Sequence, residues 1–581
     1  MSVAGSAFDL KLFKKIFLYT KPYKSTLWLC IFMTLLLSVL GPVRPWLVQF
    51  ALDHYVASKD ASGLRYISIW LVVLLCFQTV MQYLYTYATN WLGQSVIRDI
   101  RVALYKHIIR LNNKFFDHTP IGTLITRTVS DIETIADVFS EGLIVIAGDL
   151  LQLMVIISFM FYYNWQLTLV ALATLPILLL ATRFFQKGIR ESFKDVRIQV
   201  AALNTYVQEH ITGMSLVQLF NRQQKSMEEF DAINLRHRKA HVKSVWYYSI
   251  FFPIVEILSA VSIGLVVWWG ARGVLNETIS VGVITAFIMY ISMMFRPIRE
   301  LADKFNTLQM GMVSSERIVK LLETDQQIIN SGTSTPTVLN GDIEFSNVHF
   351  EYVPGEAILK GISFKHTSGK KLALVGATGA GKSSIIQLIN RMYEFQSGTI
   401  LIDGNDIRSY ELNSLRSKIA LVSQDVFLFS DSIYHNVSLR DESITLDQVV
   451  LAAKAIGVHD YINSLPGGYN FNVSERGALL SVGQRQLIAF LRAYVANPSI
   501  LILDEASSSI DTTAERLIQE ATFALTQGRT SVIVAHRLST IQAADAILVL
   551  DKGKIVEQGK HEQLVANDGP YKKLFDAQFN N

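Results

Sequence analysis

Hydrophobic positions along this chain follow two rhythms. Up to about residue 320 they come in long runs with few charges, and beyond it in short apolar segments divided by turns. Six runs approach or exceed the roughly 20 residues an apolar helix needs to cross a bilayer: 25–52, 66–92, 142–163, 167–185, 245–270 and 280–300. They form three pairs with short connectors, such as the "NWQ" at 164–166. Between the pairs lie long polar stretches, 93–141 and 186–244, whose patterning stays helical. Membrane helices that continue past the bilayer and turn at their tips are therefore expected. Asp117, Pro120 and Gly122 supply the turn chemistry for one tip.

Charge orients these segments. Arg98, Arg101, Lys106, Arg110 and Lys114 mark the first polar stretch, and Lys187, Arg190, Lys194, Arg197, Arg236, Arg238 and Lys239 the second. The positive-inside rule puts both in the cytoplasm, together with both termini. Ahead of the first run, Leu10, Phe13, Ile16 and Phe17 alternate with Lys11, Lys14 and Lys15. That pattern predicts an interfacial elbow helix within residues 1–24. No short apolar core with a small-residue cleavage site occurs there, so no signal peptide is expected.

Composition agrees with a membrane protein: half the residues are hydrophobic, 18% are charged, and mean hydropathy is +0.30. A net charge of +4, from 53 Lys and Arg against 49 Asp and Glu, gives nucleic-acid binding no support. Cys30 and Cys76 fall in apolar runs and read as small buried hydrophobes rather than a disulfide or metal pair. Asp149 and Glu256 stand inside runs, where a carboxylate marks a transport pathway or pairs with a lysine, a tyrosine or backbone. The sequence leaves both readings open.

Residues 25–322 thus read as a transmembrane domain, the polar 323–341 as a linker, and 342–581 as a separate α/β domain. In that last domain the strand pattern "KKLALVG" runs into "GATGAGKS" (376–383) and then a helical segment. Strand, glycine-rich loop and helix in that order is the setting of a phosphate-binding loop. Gly376, Gly379 and Gly381 let backbone N–H groups approach phosphate oxygens, with Lys382 reaching the β- and γ-phosphates and Ser383 binding Mg²⁺. Thr378, Ala380 and Ser384 complete the loop. Farther on, "SILILDEA" (499–506) predicts a core strand ending in Asp504, placed to hold Mg²⁺, and Glu505, placed to polarise the attacking water.

With "SQD" at Gln424, "LSVGQ" (480–484), "LDE" (503–505), "SSID" (508–511) and "AHR" at His536, the chain resembles ATP-binding cassette proteins. Six preceding spans on the same chain make it similar to a half-transporter of the exporter superfamily. The resemblance implies an all-α six-helix transmembrane domain followed by an α/β, RecA-like P-loop domain with an antiparallel β subdomain and a helical signature subdomain. It implies ATP and Mg²⁺ as ligands. It further implies that Tyr352 stacks on adenine, Gln424 senses Mg²⁺, His536 contacts the γ-phosphate, Asp511 crosses a dimer seam and Glu475 touches coupling helices. Export of a drug, lipid or peptide follows, in a bacterial cytoplasmic membrane. An ATP-gated channel or membrane regulator is the alternative.

In such proteins two cassettes close head to tail, so Ser481, Val482, Gly483 and Gln484 face nucleotide held by a partner chain. Val482 stands where a glycine is usual. Valine is β-branched and excludes φ > 0, which constrains a tight approach, so its side chain either points away harmlessly or marks an asymmetric pair. Beside an intact Glu505, the altered signature favours a heterodimer over a homodimer.

Overall fold

A computed structural model describes residues 10–138, 142–328, 330–504, 512–535 and 537–579. The chain forms two compact units. One contains the chain up to Ile109 and Ile121–Thr324; the other contains Arg110–Pro120 and everything from Asp325 onward.

The first unit is helical: α1 (Leu10–Phe17), α2 (Lys24–Phe50), α3 (Ala61–Ile108), α5 (Ile121–Thr126), α6 (Ile132–Asp137), α7 (Leu143–Tyr163), α8 (Trp165–Leu172), α9 (Leu175–Thr212), α10 (Met214–Leu219), α11 (Gln223–Leu275) and α12 (Val281–Leu322), with α4 (Asn113–His118) belonging to the second unit. Six described helical stretches are long and apolar enough to cross a membrane. Caps fix several starts. Asp60 accepts hydrogen bonds from the Ser62 and Gly63 amides at 3.0 and 3.1 Å ahead of α3, and Ser280 caps α12. The fourth apolar run is divided: α8 ends at Leu172 and α9 begins at Leu175, because Pro176 has no N–H to give the preceding turn and crowds its carbonyl.

Inter-helix contacts hold the bundle in register. Tyr290, fully buried on α12, donates to the Pro42 carbonyl on α2 at 3.0 Å. Phe185 of α9 stacks on Phe251 of α11 with centroids 4.1 Å apart. Asp149 on α7 pairs with Lys304 on α12 at 2.6 Å, so this intramembrane carboxylate has a lysine partner. Glu256 stands exposed on α11. Both cysteines are free thiols, but only Cys30 is buried. Cys76 is exposed because α3 turns that face outward, contrary to the expectation of two buried residues. On α1, Ile16 is buried and Lys15 pairs with Glu323, so part of this helix's apolar face is covered by protein.

The second unit contains two sheets. Antiparallel strands in the order β2-β1-β4-β5 form one: β1 (Ile343–Glu351), β2 (Ala357–His366), β4 (Ser397–Ile402) and β5 (Asn405–Asp406). The other runs β10-β9-β3-β8-β7-β6. Its members are β3 (Lys371–Gly376), β6 (Ile419–Val422), β7 (Ile500–Asp504), β8 (Thr530–Val534), β9 (Ala546–Asp551) and β10 (Lys554–Gly559), parallel except for the β9–β10 edge pair. Continuous apolar runs such as Ile500–Leu503 are buried on both faces, as a parallel sheet requires. A helical part containing Ile433–Ser438, Leu446–Ala455, His459–Ser464 and Val482–Val495 packs around Val449, Leu487 and Leu491.

Candidate nucleotide-binding site

Strand β3 delivers the chain to the loop at Gly376, and the loop ends at Gly381, the N-cap of α13 (Lys382–Ile389). Gly376 has φ +154°, and a Cβ there would meet the Leu550 carbonyl oxygen at 2.2 Å. Neighbouring β9 therefore leaves no room for a side chain. Gly379, at φ +83°, has nothing within 4 Å of where a Cβ would stand, so its need is for the left-handed conformation. Lys382 turns back on its own loop, donating to the carbonyls of Gly376 and Ala377 at 2.6 and 2.9 Å. Burial pushes its ammonium pKa down, opposed by the nearby Asp504 charge.

A cavity of about 510 Å³ opens in front of this loop. Thr378, Gly379, Gly381, Lys382, Ser383 and Ser384 line it from the loop and helix. Gln424 enters from beyond β6, Asp504 from the C-terminal end of β7, and Tyr352 from beyond β1. Ala380 is buried behind the loop. The parallel strands β3, β6 and β7 thus deliver the loop, Gln424 and Asp504 at their carboxyl ends, where α/β sheets bind ligands, while Tyr352 comes from the antiparallel sheet. Ser383 is exposed towards the cavity while Ser384 is buried, its hydroxyl 3.1 Å from the Tyr352 hydroxyl. Tyr352 also donates to Gln387 Oε1 at 2.7 Å and meets Tyr393 edge-on at 5.1 Å. These contacts fix the ring at the cavity wall. Ser383, Gln424 and Asp504 bring oxygen atoms to one space, a donor set that suits a hard cation such as Mg²⁺.

The signature residues do not line this cavity. Ser481 caps the helix Val482–Val495 through a reciprocal pair: its hydroxyl accepts from the Gln484 amide at 3.3 Å, and Gln484 Oε1 accepts from the Ser481 amide at 2.9 Å. Val482 is the first helical residue, 48% exposed, and is not among the residues with positive φ. Valine therefore imposes no backbone strain here, which removes the objection that a β-branched residue excludes a required φ. What it adds is an exposed isopropyl group at the helix start. Gly483 is buried, and Glu475 is exposed ahead of the signature. Glu505, Asp511 and His536 lie outside the described residues.

Sequence reasoning missed the contacts that hold the tip segment Arg110–Pro120. The Asn112 amide donates to the Gln326 carbonyl at 2.8 Å, and the Tyr393 hydroxyl hydrogen-bonds Asp117. Burial, and then that bond, push the Tyr393 phenol pKa up. Asp117 gave a signal as turn chemistry; Tyr393 gave none.

Comparison with known proteins finds the family profile for the ABC transporter transmembrane region over residues 27–298 and that for ABC transporter over residues 359–508. The uncharacterized ABC transporter ATP-binding protein YknV of Bacillus subtilis is 38% identical, across 97% of this chain and 93% of the relative. An ATP-dependent lipid A-core flippase of Desulfotalea psychrophila is 34% identical, across 98% and 99%. The putative multidrug export ATP-binding/permease protein YgaD of Bacillus subtilis is 32% identical, across 97% and 99%.

Proposed function

This chain belongs to the ATP-binding cassette exporters, and from that premise we propose that it is one half of a dimer that moves a hydrophobic or amphipathic substrate (drug, lipid or peptide) across the membrane. ATP binding, and hydrolysis coupled to transport by a multi-pass membrane protein, come with the family. The dimeric reading rests on one observation. Lys382, Ser383, Gln424 and Asp504 share a cavity, whereas Ser481, Val482, Gly483 and Gln484 face elsewhere. Each nucleotide then needs the Walker groups of one chain and the signature of another.

Lys382 holds the β- and γ-phosphates, and Tyr352 flanks the adenine. Mg²⁺, when bound by Ser383, Gln424 and Asp504, neutralises phosphate charge. Glu505 orients the attacking water, His536 contacts the γ-phosphate, Asp511 crosses the seam, and Glu475 meets the coupling helices. Bound ATP favours the closed dimer by its differential affinity, and hydrolysis releases it, so access to the membrane cavity alternates.

Two further features support a partner half. The first tip has its receptor in Tyr393, while the second leaves Leu216, Leu219 and Phe220 at 60%, 74% and 66% exposure, open for a second cassette. Val482 beside Glu505 favours a heterodimer whose other member carries the complementary defect. Both termini face the cytoplasm of a bacterial cell in this reading.

Glu505→Gln tests the catalytic assignment: ATP binding stays, and hydrolysis by the assembled dimer falls by two orders of magnitude or more. Near-normal turnover would remove Glu505 from its role. For the pairing, the chain purified alone is expected to lack substrate-stimulated hydrolysis. A stable, stimulated homodimer would contradict an obligate heterodimer.

A further inference from the structure

We propose that a cavity among the polar extensions of the membrane helices binds the phosphate-type head group of an amphiphile that also carries a hydroxyl or ammonium donor. It occupies about 320 Å³, large enough for a head group but not a whole lipid. Arg190, Lys194 and Arg197 line it from α9, Arg317 and Ser314 from α12, and Asp131 from the turn ahead of α6. The three α9 cations are spaced at i, i+4 and i+7, on one face of the helix. None of the three has a hydrogen-bond or ion-pair partner among the described residues. Two carboxylates on these helices are engaged elsewhere, Asp195 with Lys243 at 2.9 Å and Glu133 facing Arg101. Like charges held on one helix face destabilise it, so an anion between them is favoured. Arginine forks match phosphate oxygens in pairs, which selects phosphate over smaller anions.

Asp131 supplies the second half of the recognition. It is 94% buried, and its Oδ1 accepts from Ser314 at 3.0 Å and Arg317 at 3.4 Å. Its Oδ2 is buried with no partner. A buried carboxylate oxygen left unpaired is costly, so it selects a ligand that brings a donor. Phe193, Met310 and Val313 form an apolar wall for the ligand's hydrocarbon part. The head group is therefore anionic, donor-bearing and joined to an apolar body, as in phosphatidylglycerol. This narrows the substrate class and rests on the exporter reading above.

The test uses full-length protein assembled with its partner half in phosphatidylcholine nanodiscs, titrated calorimetrically. Four probes are compared: short-chain phosphatidylglycerol, short-chain phosphatidylmethanol (same charge, no donor), glycerol phosphate and short-chain phosphatidylcholine. Phosphatidylglycerol is expected to bind most tightly, with at least a tenfold loss in the exposed double variant Lys194→Ala/Arg197→Ala. Glycerol phosphate binding as tightly, with the same loss, would support the site with a soluble phosphate ester as its source. Unchanged phosphatidylglycerol binding in the double variant, or equal binding of phosphatidylcholine, would overturn the site. Equal binding of phosphatidylmethanol would overturn the part given to Asp131. ATP turnover of the wild-type preparation keeps the two readings apart. Turnover without head-group binding sinks only this proposal, whereas absent turnover sinks the exporter reading itself.

Discussion

Lys382 Nζ donates to the Gly376 carbonyl oxygen at 2.6 Å, so the phosphate-binding loop is closed on itself by its own lysine. The cation proposed to meet ATP already has two carbonyl partners, and they hold the loop in its curved form. Charge-assisted hydrogen bonds are worth roughly 1.5–3 kcal/mol each. Lys382→Ala should therefore weaken ATP binding by about 10- to 100-fold, read with a fluorescent ATP analogue. An affinity within twofold of wild type would remove the lysine from the phosphate site.

Glycines 376 and 379 should respond differently to the same substitution. Gly376→Ala drives a Cβ into the Leu550 carbonyl, and overpacking of this kind costs about 1–3 kcal/mol. Gly379→Ala meets no atom and carries only the φ penalty, about 1 kcal/mol. Thermal unfolding without nucleotide should show a large drop for the first and a small one for the second. The reverse order would contradict the loop geometry.

Signature chemistry separates stability from catalysis. Ser481→Ala breaks the reciprocal cap and should cost the helix Val482–Val495 about 1 kcal/mol. Val482→Gly leaves that cap intact and removes the exposed isopropyl group. In a dimer carrying Glu505→Gln, retention of ATP in the partner's pocket reports the signature without turnover. There, Val482→Gly should slow ATP release; no change would mean that the valine is a neutral substitution.

The Asp149–Lys304 pair should behave as a unit. Lys304→Met leaves Asp149 with its charge unpaired in a partly buried site, a change that typically costs 3–5 kcal/mol when the site is fully buried and less here, about 1–3 kcal/mol. Asp149→Leu/Lys304→Met removes both charges and should recover most of the loss in detergent thermal-stability scans. A double variant less stable than Lys304→Met would refute the pairing.

His366 gives the cassette a pH dependence. Its Nε2 donates to the Lys370 carbonyl at 2.9 Å, and burial pushes the imidazole pKa below its usual value. The unfolded chain takes up the proton first as pH falls below about 6.5, so stability declines from there until the folded-state pKa is reached. The cassette transition measured between pH 7.5 and 5.5 should fall, and His366→Gln should flatten the slope. An unchanged slope would assign the effect to other groups.

Much of this architecture can be read in the sequence because its signals are long or chemically dense. Six apolar runs and a strand-loop-helix around Lys382 survive any local ambiguity in propensity. Features decided by tertiary contact were not readable. The break between Leu172 and Leu175 hides within a continuous apolar run, with only Pro176 to announce it. Cys76 looks like Cys30 in composition, and only the packing of α3 sets them apart. Val482 looked like a constraint on φ until its position as the first residue of a helix showed that no unusual φ is required. The receptor formed by Tyr393 for Asp117 joins residues far apart in sequence, with no pattern in either segment to pair them.

Transport itself is the most direct test of the central claim. Inside-out vesicles containing this chain and its partner half would be given a fluorescent short-chain phospholipid or a hydrophobic dye, with ATP or a non-hydrolysable analogue. Accumulation is expected with ATP alone, abolished by Glu505→Gln. ATP hydrolysis without accumulation of any amphiphile, or accumulation that persists with the analogue, would contradict an ATP-driven exporter and favour a gated channel or regulator.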